Sequence, residues 1–582
     1  MDRMKDNSVC RVCVLVLSFF VLSSARTYYV DNRTGNDGAN GTDASTPWKT
    51  LAKVNATTFG ADTVLFACGS IWNDTLVPKA AGTASHPFVI SKYGTGNLPL
   101  INGGGRPNAI HFFNQEYFEI SNLEVTNIAI PNQTDRRGVA IEYRGFGRTI
   151  HNIIVRDMYI HDIHGNSAGQ RVYYYSGGIW VVVWDGSPFD GLLIERNRML
   201  KVNGQGFMKY NSGGRTPSTN VIVRNNAMDS IGGDGILLYA AKKAVVENNL
   251  LHLGGWQTEG GCCAGMWGEE GTDSCVWQYN EVYNFGPQGG CDKQAFDSDF
   301  NDYHAFFQYN YSHNNRGGFF LFVPSSSGCT IRYNISQNDI NDIPGGGWGL
   351  LVNFNTNWPN PGSVVDGTEQ IYNNVFVQPQ NSGVQFCEKE YVPQNVFNNI
   401  FVNISMNSVR GANNCFFNSG NATDNGNIVG NPNFVGTPGT AGNGLAAASI
   451  YRLQAGSPCI GKGKLITGKG SLDYFGNPLP ANGPIDIGIH QYSNQVNTRS
   501  DMAHGKSAQP VTILRNASGT QIKLSDWTRE VRILELSGAL VARLHADGRQ
   551  SITIPRTRSA QTVYLIEIDG RNQRSALPVA IW

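Results

Sequence analysis

The chain has 582 residues, 68 of them Gly, with 11% aromatic and only 15% charged residues. Lys+Arg and Asp+Glu are equal at 45 each, so no basic stripe marks a nucleic-acid binder and little long-range steering favours a polyanion. The length would suit about four ordinary domains, unless the chain is a solenoid that grows by adding repeats.

Residues 1–25 read as an export signal. Arg3, Lys5 and Arg11 precede an apolar run, Val12–Ser24, that is too short to span a bilayer and ends in small residues. No second long apolar run follows, so the expected mature chain is secreted or at the cell surface, with no membrane span. Cys10 and Cys13 leave with the signal and nine Cys remain. No C-x-x-C pair survives, which argues against a zinc ribbon and for isolated disulfides. Cys262 or Cys263 with Cys291, and Cys387 with Cys415, are the candidate pairs; unpaired buried thiols are the alternative.

The organising signal is an asparagine that follows a short β-rich run. It recurs in IERNRML, IVRNNAM, VVENNLL, VWQYNEV, FFQYNYS, TIRYNIS, IYNNVFV and VFNNIFV, at Asn197, Asn226, Asn249, Asn280, Asn310, Asn334, Asn374 and Asn399. Asn122 in EISNLEV and Asp157 in IVRDMYI look like the same unit. Each run alternates apolar residues before its turn, as a strand with one buried face does. Asn tolerates a left-handed backbone, and its amide can bond turn groups and the Asn of the next coil. The reading is a right-handed parallel β-helix over residues 26–495.

Two segments carry a resemblance. Residues 27–104 (TYYVDNRTGNDGANG…INGGG) and 431–492 (NPNFVG…YRLQAGSPCIGKG…DIGIHQY) are similar to the opening and closing regions of secreted right-handed β-helix proteins. Many of those are polysaccharide lyases or glycoside hydrolases, but the likeness is specific for architecture and weak for reaction. After a linker at 496–509, residues 510–582 give the short strands of a small β-sandwich. That tail resembles the sorting domains of bacterial type IX secretion substrates, which implies secretion or cell-surface machinery as a partner. Thr562 stands where such domains usually carry Gly. A structural or carbohydrate-contacting appendage is the other reading.

A second strand follows each turn and opens with a small residue. Stacking GIWVVV, GFMKYN, GILLYA, GMWGEE, AFDSDF, GFFLFV and GLLVNF puts Ile179, Phe207, Ile236, Met266, Phe296, Phe319 and Leu350 in one inward column. One outward column then reads Trp180, Met208, Leu237, Trp267, Asp297, Phe320, Leu351. The other reads Val182, Tyr210, Tyr239, Glu269, Asp299, Phe322, Asn353. This stacking assumes no bulge, and it leaves Lys209 on an inward column.

Asp297, Asp299 and Glu269 therefore converge, with Cα atoms about 6.5–7 Å apart along the strand and about 4.8 Å apart between rungs. Like charges this close keep one carboxyl protonated, and glycoside hydrolysis needs one protonated and one ionised carboxyl. Trp267, Tyr239, Tyr210, Phe320 and Phe322 are expected to offer flat faces to sugar rings, with Asp234 orienting the substrate. The first reading is a secreted hydrolase of a polysaccharide or oligosaccharide that requires no cofactor. The second is a lyase of a uronate polymer in which Lys293, His313 or Arg316 supplies the base or the stabilising cation, with calcium on Asp297 and Asp299 as an option. The third is a non-catalytic glycan-binding surface protein.

Overall fold

A computed structural model describes residues 25–129, 135–166, 172–256, 262–286, 292–340, 350–354, 367–387, 395–406, 411–420 and 425–493, together with the strands between 511 and 581. Residues 1–24 of the expected signal and the expected linker lie outside the described residues.

The chain folds as a right-handed parallel β-helix. Among the described residues, three parallel sheets of 13, 14 and 9 strands run along it, and each coil gives a strand to each sheet where all three are present. The first sheet extends from Thr27–Val30 to Val396–Phe397 and the second from Ile71–Trp72 to Ile428–Val429. The third, called the site sheet below, extends from Asn108–Phe113 to Val352–Phe354. Successive coils place apolar side chains on top of one another inside, as with Ile179, Phe207, Ile236, Met266 and Phe296. All five are in the core. The parallel ladders close from coil to coil, so only the two ends need covers. Trp48, Leu51, Val54 and Phe59 pack into the core at the first coil.

The asparagine ladder is continuous from Asn197 to Asn414. In each step the Oδ1 of one Asn accepts both the backbone N–H and the Nδ2 of its predecessor, as Asn280 does from Asn249 at 3.0 Å each. The Nδ2 also donates to a strand carbonyl, Asn280 to Val246 O at 2.9 Å. The left-handed residue is the one before the ladder: Arg196, Asn225, Asn248, Tyr279 and Tyr309 have φ of 54°, 56°, 54°, 54° and 58°. Asn122 and Asp157, at φ 59° and 54°, occupy this turn position and not the ladder. Met158 takes the ladder place above Asn197, donating its N–H to Asn197 Oδ1 at 3.1 Å.

The closing segment lies against the second sheet. Tyr309 Oη donates to Leu472 O at 3.0 Å, and Gln337 Nε2 donates to Ala441 O at 2.9 Å. Cys415 and Cys459 are buried free thiols of this packed face, and Cys415 Sγ donates to Gly430 O at 3.6 Å. Cys415 and Cys387 are not joined, because Cys387 follows Phe386, whose carbonyl accepts from Val352 of the site sheet. Cys262 is disulfide-bonded and Cys263 is a free thiol; Cys291 lies outside the described residues.

Beyond residue 510 the strands form antiparallel sheets of three and four. Among the described residues no helix is long and apolar enough to cross a membrane.

The simple stacking fails at the last two coils, where Phe320 also pairs with Val352 rather than Leu351. Phe296 pairs with Phe320, not Phe319, and Asp297 pairs with Leu321. Phe319 and Phe320 both donate their N–H to Leu351 O, at 2.9 and 3.2 Å. That is the hydrogen-bond pattern of a bulge, which begins at Gly318 with φ 96°. The extra residue turns Phe320 and Phe322 inward, both fully buried in the core, so neither offers a face to a sugar. Phe322→Ala is expected to cost about 3–5 kcal/mol in a denaturant melt while leaving KM for any saccharide unchanged. A raised KM with wild-type stability would return Phe322 to the outer face.

Candidate active site

The register of the three central coils is the expected one. Leu237, Trp267 and Asp297 share one outward column, and Tyr239 pairs with Glu269. Asp299 lies just past the strand Phe296–Ser298, where its N–H donates to Gly268 O at 3.1 Å and keeps it beside Glu269. Parity explains the exposure: Met266 and Phe296 point into the core, so Trp267 and Asp297 point out. The three carboxyls thus meet on one lateral face.

Asp297 is 2% exposed, and its Oδ1 has no hydrogen-bond partner. Burial, then the charges of Asp299, Asp292, Glu269 and Asp234, push its carboxyl well above the ordinary carboxylate range. Asp299 is partly exposed, and its Oδ1 accepts from Phe300 N at 2.6 Å. Desolvation raises it to about 7 despite that bond, with Asp292, Glu270 and Asp302 adding to the rise.

Asp234 lies deeper than a turn aspartate would. It is fully buried, its Oδ1 accepts from Ala264 N at 2.8 Å, and its Oδ2 has no partner. Burial lifts it to about 7, opposed by the Ala264 N–H, the nearby Gln205 and Trp267 side chains and the charge of Lys293. Gln205 and Trp267 are close enough to Asp234 to favour its charged form.

Beside the carboxyls, Tyr210 and Tyr239 meet edge to face with ring centroids 4.9 Å apart, both partly exposed. Trp267 is 4% exposed and packs with Trp180, Met208, Leu237 and Ala264. Trp267 is therefore covered and is not an open platform for a sugar ring. At the rim Arg215 pairs with Glu270 at 2.5 Å.

Lys293 and His313 are both enclosed rather than facing the carboxyls. Lys293 is fully buried, with its Nζ 2.7 Å from Cys263 Sγ. It acts on Asp234 and Asp292 as a charge in the wall and has no exposed amine for a substrate proton. His313 lies on the second sheet, bonded to Glu281 Oε1 at 3.1 Å and stacked on Tyr283 and Tyr311. There Glu281 also accepts from Gly444 of the closing segment, so His313 is sealed on the wrong side of the coil. Arg316 sits in the turn between these two sheets, its N–H donating to Phe285 O at 3.0 Å.

Lys209 is indeed inward. Its Nζ donates to Tyr239 O and Ala240 O at 2.5 and 2.9 Å, and burial lowers it to about 7.

Three residues had not been singled out. Asp292 bridges to Cys263 and is raised by burial to about 6, close enough to disfavour ionisation of both Asp297 and Asp299. Gln205 and Gln294 precede the small residue of their coils, as Asp234 does. A polar residue recurring just before that small residue was the available signal. Among the described residues, no group of three or more His, Cys, Asp or Glu is set to hold a metal ion.

No family model matches the chain. It is 29% identical over 471 aligned residues to a lacto-N-biosidase of Bifidobacterium longum, an alignment covering 62% of this chain and 29% of that protein. The chain thus spans less than a third of the curated relative's length. A solved GH136 lacto-N-biosidase from Eubacterium ramulus has a TM-score of 0.51, at 22% identity over 66% of this chain and 68% of that one. Its native form gives the same TM-score over 65% and 68%. These likenesses support the β-helix architecture.

Proposed function

We propose that the chain is a glycoside hydrolase that cuts an oligosaccharide or polysaccharide on the site sheet. The observation that carries this reading is Asp297: a buried carboxyl with an unpartnered oxygen, pushed well above the ordinary carboxylate range, beside two more exposed carboxyls. Asp297 protonates the glycosidic oxygen as the bond breaks. Asp299 or Glu269, the less buried partners, activates water or attacks the anomeric carbon. The reaction written this way draws on no cofactor. Tyr239 and Tyr210 hold the sugar by ring packing.

A uronate lyase would need an exposed base and a cation facing the substrate, and Lys293 and His313 are both enclosed. The 29% identity to a lacto-N-biosidase favours an oligosaccharide substrate, and lacto-N-biosidase activity itself is the finer reading. The test is a panel of neutral and uronate glycans that includes those cut by lacto-N-biosidases. Reducing ends without ultraviolet-absorbing unsaturated products are expected, and an unsaturated product would sink the proposal. Export through residues 1–25, with sorting by the tail, completes the reading. Sequencing the N-terminus of protein recovered from the medium tests the first part.

A further inference from the structure

Free thiols in this fold keep ordinary distances from their polar neighbours. Cys275 Sγ lies 3.3 Å from Ala241 O, Cys68 Sγ 3.4 Å from Gly94 O, Cys415 Sγ 3.6 Å from Gly430 O and Cys329 Sγ 3.2 Å from Ser298 Oγ. The Lys293–Cys263 pair is closer, with Nζ 2.7 Å from Sγ. That separation is at the short end even for an N–H···O bond. Sulfur is the larger atom, so this nitrogen and sulfur approach more closely than a hydrogen bond between them requires. Both residues are buried, at 0% and 1% exposure.

The coils impose the approach. Cys263 and Asp292 bridge neighbouring coils, and Lys293 N–H donates to Cys263 O at 2.8 Å. Asp292 and Lys293 both take left-handed backbone, with φ of 61° and 76°, which residues other than glycine adopt only where their surroundings hold them. Two turn glycines leave the room. A Cβ on Gly286 would lie 2.6 Å from Lys293 Cβ, and one on Gly255 would lie 3.2 Å from Cys263 Sγ.

We propose that Lys293 and Cys263 form a modification site, at which peroxide joins Lys293 Nζ to Cys263 Sγ through one oxygen atom. Their separation suits two bonds meeting at an oxygen and is too long for a direct N–S bond. The S–H bond and one N–H bond break, and S–O and N–O bonds form. Four electrons pass to two molecules of hydrogen peroxide, and three waters leave. The thiolate is the form that attacks peroxide. Burial holds the Cys263 thiol up at about 11, with the charge of Lys293 opposing the rise, so bridging is slow and needs peroxide in excess. Hydrogen peroxide is small and uncharged, and local opening of a coil admits it. An oxygen on the nitrogen makes it too weak a base to hold a proton at neutral pH, so the bridge removes the Lys293 charge. That charge favours the ionised forms of Asp234 and Asp292, which couples the bridge to the carboxyls beside the site sheet. The linkage itself does not depend on the reaction those carboxyls perform.

Tryptic digestion of the whole chain tests the site. No Lys or Arg lies between Lys243 and Lys293, or between Lys293 and Arg316, so the unbridged protein gives fragments 244–293 and 294–316. Folded wild type treated with hydrogen peroxide should instead give one fragment, 244–316, heavier by about 14 Da for one oxygen gained and two hydrogens lost. A thiol reductant should restore cleavage after Lys293. Cys263→Ser, and wild type unfolded in urea before peroxide is added, should be cleaved there as before; if Cys263→Ser does not fold, the urea arm decides. Cleavage after Lys293 that persists across a peroxide titration which oxidises methionine elsewhere overturns the site. Bridging of the unfolded chain overturns it as well, and a fragment 244–316 lighter by about 2 Da, a direct N–S bond, overturns the bridging oxygen. Bridged protein should turn over the hydrolysed glycan about three- to tenfold more slowly, with Cys263→Ser unaffected by peroxide. Full turnover by fully bridged protein overturns the coupling to the carboxyls, while the fragment mass decides the bridge.

Discussion

Asp297→Asn is expected to lower kcat by about a hundred- to ten-thousand-fold, the range for loss of a positioned acid. The Tm should hold or rise, because a neutral amide replaces a carboxyl that the fold already keeps protonated. Asp299→Asn should lose activity on the same scale while still binding saccharide. Wild-type turnover in both would refute the assignment.

The pH profile follows from the same shifts. Asp299, raised to about 7, must be ionised, so the acid limb of kcat should lie near neutrality. Asp297, pushed well above the ordinary carboxylate range by burial and the neighbouring charges, should hold its proton as the acid. Stability should run the opposite way. A carboxyl whose folded pKa is raised contributes stability that is fully present below its unfolded value near 4 and lost as the pH rises through the folded value. Asp234 and Asp302 are fully buried and lifted to about 7, a shift of about three units, or on the order of 4 kcal/mol each. The wild type should therefore melt at a higher temperature at pH 5 than at pH 8. A Tm that climbs over that interval would show these carboxyls to be ionised in the fold.

The second large effect lies in the asparagine ladder. Asn280→Ala should cost about 4 kcal/mol or more, enough to lower Tm steeply or prevent folding. It removes the acceptor of Asn249 N–H and Nδ2 and the donor to Val246 O, and it takes from Asn310 Oδ1 one of its two donors. Each group so orphaned is sealed from water and loses about 1–3 kcal/mol. Asn280→Asp is a useful companion, since it keeps the acceptor and loses the donor. Urea midpoints of the two variants should differ, with Ala the worse. Near-wild-type stability for Asn280→Ala would mean that water or backbone shifts replace the ladder.

Part of the site was legible because the solenoid converts chain distance into stacking. The small residue opening each site strand aligned Trp267 with Asp297 and Tyr239 with Glu269, and the ladders hold them so. The same rule misplaced Phe320 and Phe322, because a bulge at Gly318 is a local backbone choice with no periodic trace. It also could not place His313. A residue eleven positions from Asp302 in the chain lies on another sheet, under a closing segment some 130 residues further on.

The sequence by itself determined the architecture. A period-2 strand followed by an Asn every 23 to 40 residues satisfies its backbone and amides by stacking. It also brought the carboxylates of residues 269, 297 and 299 to one face, because parity and register follow from that stacking. The tertiary structure alone decided which candidates share that face and how each group is solvated. Burial is a property of what covers a residue, and the cover of His313 comes from a closing segment far away in the chain. Burial raises Asp297 well above the ordinary carboxylate range and confines Lys293 to the wall.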